Sequence, residues 1–115
     1  MRRVVSALLI TLLAGCNDEL AWSLPNEALV LQGPGRSCTI SPDSPQYKNL
    51  SAWVSRNRSE WSSSPASYVP GIIVRGSNFT INFLDSVVVV NHAGGQFTHR
   101  VSPSEFAFLS CSSGT

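Results

Sequence analysis

"FTINFLDSVVVVNHAGGQFTHRV", residues 79–101, is the stretch whose reading decides the fold. Phe79, Ile81 and Phe83 alternate with Thr80 and Asn82, the period-two pattern of a strand with one buried face. Asp85-Ser86 makes a tight connection. Val87 to Val90 is apolar on both faces, as in a central strand covered on two sides or one that leaves a face for a partner. Asn91-His92-Ala93-Gly94-Gly95 then reads as a glycine-bearing hairpin turn. From Gln96 the alternation resumes, with Phe97, His99 and Val101 on one side. Three antiparallel strands in a meander are the minimum this segment specifies.

Upstream, Tyr68 to Arg75 is β-rich around Pro70, which suits an edge or a bend, and Gly76-Ser77-Asn78 is a turn signal. Further back the period changes. Tyr47, Leu50, Trp53, Val54, Asn57 and Trp61 follow the spacing of one helical face, while Lys48, Ser51, Ser55, Arg56, Arg58 and Ser59 mostly occupy the others. Ser44 is suited to cap that helix and Pro45 to open it, with Asp43 at the positive end. The spacing predicts one amphipathic helix over 45–59 whose aromatic stripe covers a sheet. Ser62-Ser63-Ser64-Pro65 ends it and turns the chain. At the far end, Ser102-Pro103-Ser104-Glu105 has the form of a capping box, favouring a short helix over a strand for the residues that follow. The expected fold class is α+β: one amphipathic helix packed on a small antiparallel β-meander of three to five strands.

The N-terminus obeys different rules. Met1-Arg2-Arg3 is a positive head, and Val4 to Leu13 is an apolar stretch broken only by Ser6 and Thr11. As a helix it reaches roughly 15 Å, half of the ~30 Å hydrocarbon core, which fits the hydrophobic part of a signal peptide and not a permanent span. It ends in Leu13-Ala14-Gly15-Cys16. This resembles the lipobox of bacterial lipoproteins, with all four positions matched over the first 16 residues. The resemblance implies that residues 1–15 are cleaved as a signal peptide and that Cys16 is lipidated, on sulfur and as the new N-terminus. It implies membrane attachment through acyl chains in the periplasm of a bacterial envelope. Asn17 follows the cysteine where Asp would favour the inner membrane, so the cell outer membrane, facing the periplasm, is the expected address.

With Cys16 given to lipid, Cys38 and Cys111 remain as a pair in an oxidising compartment, where a disulfide bond is the default and two buried free thiols the alternative. Closing a loop of about 74 residues stabilises a fold by roughly 4 kcal/mol in the chain-entropy picture. The domain organisation expected is a signal at 1–15, a lipidated N-terminus and tether at 16–37, one domain at 38–111 and a loose tail at 112–115. Pro25, Gly33, Pro34 and Gly35 mark the tether, although Ala28-Leu29-Val30-Leu31 is apolar enough to dock as a short strand. Trp22 either packs on the domain or sits at headgroup level.

Of eight Lys and Arg residues the signal holds Arg2 and Arg3, so the mature chain keeps six against seven Asp and Glu. That balance excludes a nucleic-acid binder, which clusters its cations, and a polybasic membrane patch. Catalytic parts are scarce. His92 and His99 flank the hairpin turn without a third metal ligand at suitable spacing, and neither a metal nor a cofactor is expected. Asp85, Ser86 and His92 form no nucleophile elbow, Gly33-Pro34-Gly35 lacks the lysine and helix of a phosphate loop, and the acids are scattered. Arg56, Arg58, Arg75 and Arg100 are the candidate partner-binding residues, because arginine is enriched at recognition surfaces. The expected function is a non-catalytic module that grips another envelope protein, as inhibitor, immunity, exclusion or assembly factors do. The alternative is a small-ligand carrier or hydrolytic enzyme, its pocket between helix and sheet lined by Tyr47, Trp53, Trp61 and Phe83.

Overall fold

A computed structural model describes residues 19–111. The signal segment 1–15, the lipidation position Cys16 and the tail 112–115 lie outside the described residues. The fold is α+β. Among the described residues one α-helix, α1 (Pro45–Arg56), covers an antiparallel sheet of seven strands: β1 (Leu29–Gly33), β2 (Arg36–Ile40), β3 (Ser62–Ser63), β4 (Ile72–Arg75), β5 (Thr80–Phe83), β6 (Val87–His92) and β7 (Gly95–Arg100). Their order across the sheet is β2-β1-β4-β5-β6-β7-β3. The meander β4-β5-β6-β7 is the one expected from residues 68–101.

Seven strands exceed the expected three to five, and the excess has a clear origin. The stretch expected to be tether folds: Leu20 is buried, and β1 and β2 form a hairpin that adds to β4 through Val30↔Arg75, Leu31↔Val74 and Gln32↔Ile73. The sheet therefore begins before Cys38, where the domain was expected to start. Gly33-Pro34-Gly35, read as linker composition, is the hairpin turn, with Gly35 at φ 71° in the left-handed region that glycine adopts freely. Strand β3 is only two residues long and pairs the other edge through Ser62↔Thr98 and Ser63↔Phe97.

The inner face is a continuous apolar layer. Leu31, Val74, Ile81, Val90 and Phe97 lie side by side along one row of the register, and Ile72, Phe83, Val88 and His99 along the next. Helix α1 packs Tyr47, Leu50, Trp53 and Val54 against this layer. Its start is as expected: the Ser44 hydroxyl accepts from the Tyr47 N–H at 3.1 Å, and Pro45 fills the first position, where no N–H is needed. It stops at Arg56 and not at residue 59. Asn57 turns the chain, its backbone N–H donating to Trp53 and Val54 carbonyls and its side-chain amide to Trp53 O at 2.8 Å. Glu60 then takes a left-handed φ of 67°, which redirects the chain so that Trp61 enters the core fully buried. After β7 the Ser102–Glu105 capping box opens a single 3-10 turn, Pro103–Phe106, the short helix expected there.

The Cys38–Cys111 disulfide is formed, with Cα atoms 5.8 Å apart and a sequence separation of 73. It fastens β2, at one sheet edge, to the C-terminal segment. Among the described residues no helix is long and apolar enough to cross a membrane.

Candidate functional site

The helix–sheet interface is filled. Tyr47, Trp53, Trp61 and Phe83 are all buried, with Trp53 placing its ring edge-on to Trp61 at 6.2 Å and to Phe83 at 5.7 Å. The Tyr47 hydroxyl donates to Pro25 O, and burial, followed by the nearby Glu27 charge, pushes its pKa above the ordinary value. All four side chains read as pocket lining are core residues: Trp61 and Phe83 pack on Trp53, and Tyr47 is buried with its hydroxyl on Pro25.

The two histidines are separated. His99 lies against Trp61, with ring centres 4.9 Å apart, and its Nδ1 donates to the Arg100 carbonyl at 2.6 Å. His92 belongs to another cluster at the opposite end of the strands. Its ring stacks on Trp22 at 5.9 Å and on Phe97 at 5.3 Å, and Trp22 in turn meets Phe79 at 4.8 Å. His92 Nδ1 accepts from the Gly94 N–H at 3.0 Å, which leaves the proton on Nε2; that nitrogen is buried without a partner among the described residues. Among the described residues no three His, Cys, Asp or Glu side chains gather as a metal site would require.

Beside the aromatic row, the turns β4–β5 and β6–β7 enclose an open concavity of about 680 Å³ lined by Arg75, Ser77, Asn78, Thr80, Asn91 and His92 among others. Glu27 fixes its rim by accepting from the Ser77 N–H at 2.9 Å and from the Ser77 hydroxyl. Any side chain at Gly76 would strike the Phe79 ring and the Glu27 carboxylate, so only glycine fits there.

The outer face of the sheet, away from α1, is the less expected surface. Between β3 and β4 the chain must return from one edge to the far side of β5, and residues 64–71 cross this face as a strap. Asn82 holds the strap by accepting from Gly71 N–H at 2.7 Å and donating to Val69 O at 2.8 Å. Gln96 donates to Ser64 O at 2.8 Å and to Ala66 O at 2.6 Å. Beneath it Val89 is buried although it lies outside the main core cluster, so β6 is covered on both sides. Tyr68 and Pro70 of the strap share with Val89, Ile73 and Asn91 a cavity of about 160 Å³. Among the described residues the large apolar side chains that are exposed, Val30 at 37 % and Val69 at 73 %, belong to β1 and to this strap.

The four candidate arginines do not form one patch. Arg56 is exposed at the end of α1, and Arg58 donates to Trp22 O at 3.2 Å. Arg75 and Arg100 are exposed on the outer face, the first opposite Val30 and Thr80, the second opposite Val87 at the other end of the strands. Asn82 and Gln96 were not singled out from sequence. The available signal was a polar residue on the open side of each alternating strand, which marks solvent as readily as a bound strap. No known family matches the chain, and neither curated proteins nor solved structures show significant similarity to it.

Proposed function

We propose that the chain is a lipid-anchored periplasmic lipoprotein, held through acyl groups on Cys16 to the outer membrane, that binds another envelope protein without catalysing a reaction. One observation carries this reading: among the described residues strand β2 ends the sheet with an unpaired edge, flanked on the outer face by the exposed pair Val30↔Thr39. An unpaired edge offers backbone donors and acceptors to an extended segment of a partner, and neighbouring side chains select which segment. The dispersal of the histidines and the filled helix–sheet interface take away the parts a hydrolase or carrier would use there. Arg75, opposite Val30 in register, borders the same surface, whereas Arg100 lies on β7 beyond the strap.

The test is affinity capture from envelope extracts, comparing the parent with a Val30→Glu/Thr39→Lys double variant. The two positions face each other in register, so opposite charges there leave stability within about 0.5 kcal/mol. A stoichiometric protein partner held by the parent and lost by the variant, at unchanged thermal stability, supports the proposal. A partner retained by the variant moves the interface elsewhere, and a bound small molecule in place of a protein overturns the reading. Cys16→Ser should leave the protein unprocessed or free of the membrane fraction.

A further inference from the structure

Resting on the lipoprotein reading, we infer that the aromatic end of the sheet is apposed to phospholipid headgroups, so that the domain is held in one orientation on the membrane. The argument is one of chain length. The first described residue fixed in the fold is Leu20, whose side chain is buried and whose N–H donates to Arg58 O at 2.7 Å. Four residue steps separate it from Cys16, a reach of at most ~14 Å even when fully extended. A 22-residue tether would have an r.m.s. span of about 26 Å and would let the domain tumble. Because β1 and β2 fold into the sheet, that freedom does not exist.

What lies next to the attachment point is then determined. Arg58 bonds both Leu20 N–H and Trp22 O, and Trp22 rests on Phe79 and His92, bringing in the β4–β5 and β6–β7 turns. This pole carries Glu19, Trp22, Glu27, Arg58, Arg75 and the exposed turn residue Ala93. Its charges balance, so contact comes from proximity and from a tryptophan at interface depth, and it is insensitive to salt. The β1–β2 turn, with Pro34 exposed, lies at the other end of the strands, roughly 20 Å away for a six-residue strand. That pole and the outer face point to the periplasm, so the β2 edge meets partners from the side.

The experiment places the lipidated protein in vesicles of phosphatidylethanolamine and phosphatidylglycerol, with a fluorophore introduced at Ala93 or, separately, at Pro34 through an unnatural amino acid that spares the disulfide. Headgroup-labelled nitroxide lipid should quench the Ala93 probe several-fold more than the Pro34 probe. Inserting a long Gly-Ser segment between Asn17 and Asp18 should bring both to the same low quenching while the protein still floats with vesicles. Equal quenching at the two positions with the native linker, in protein that carries the lipid mass and floats, overturns the orientation and leaves the lipoprotein reading standing. Absence of the lipid mass and of flotation overturns that reading, and the orientation with it.

Discussion

Asn82 occupies a position where a residue of another type would not serve. It sits on the open face of β5, between Ile81 and Phe83, which are buried on the opposite side. Its amide offers an acceptor to Gly71 N–H and a donor to Val69 O, completing for the strap the hydrogen bonds that a neighbouring strand would make. Gln96 does the same for Ser64 and Ala66 two strands away. Leaving the Gly71 and Val69 backbone groups unpaired costs about 1–3 kcal/mol where water cannot replace the partner. Asn82→Ala is therefore expected to lower stability by about that amount and to expose residues 64–71 to proteolysis. Chemical denaturation and limited proteolysis check the two halves. A cleavage pattern identical to the parent's would show that Gln96 and the apolar contacts hold the strap without Asn82.

At the scale of elements, legibility followed burial contrast. Strand β5 was readable because Ile81 and Phe83 are buried on one face, β7 because apolar and polar residues alternate in its sequence although residues 96–99 are all half-buried, and α1 because its aromatic stripe recurs at helical spacing. Strand β2 was not: Arg36, Ser37 and Thr39 are exposed, Cys38 is half-buried, and only Ile40 is fully inside, which is how an edge strand looks beside a Pro-Gly turn. The end of α1 was misplaced because Trp61 continues the periodic pattern for a different reason, reaching the core through the turn at Glu60. The capping box was legible because it is wholly local. In it Glu105 accepts from the Ser102 N–H at 2.9 Å and from Trp53 Nε1 at 3.1 Å, so it also fastens the 3-10 turn to α1. The Ser102 backbone bond, then the Trp53 bond, hold its carboxyl below the usual carboxylate range. A folded-state pKa that is depressed means stability present above the unfolded value, near ~4.3, and lost as pH falls through the folded one. Acidification below about pH 4 should thus loosen the 103–109 segment before the sheet. NMR of Glu105 and of the Trp53 indole N–H, followed against Glu105→Gln, tests this; coincident loss of all signals would mean that the turn has no separate acid response.

For the molecule as a whole, the disulfide joins two parts of the chain that lie outside the meander. The β1–β2 hairpin precedes α1 in sequence and attaches to β4 alone, while the C-terminal segment contributes Phe106 and Leu109 to the core. Cys38–Cys111 links them across 73 residues, so it closes nearly the whole fold into one loop. In the chain-entropy picture such a loop is worth roughly 4 kcal/mol, against a margin of about 5–15 kcal/mol for a domain of this size. The Cys38→Ser/Cys111→Ser double variant should therefore lose roughly 2–5 kcal/mol in equilibrium denaturation, as the parent does in reductant. The loss should be uneven. Beside the bridge lies a cavity of about 220 Å³ lined by Leu31, Pro34, Ile72 and Leu109 among others, so packing there is thin without the covalent link. At the opposite end, Trp22, Phe79, His92 and Phe97 are joined by direct ring contacts that do not involve the cysteines. Hydrogen exchange on the double variant should accordingly rise first in β2 and in 103–111, with Phe79 and His92 still protected. Uniform loss of protection across the sheet would mean that the hairpin and meander unfold as one unit, and that the bridge stabilises them together rather than securing an edge.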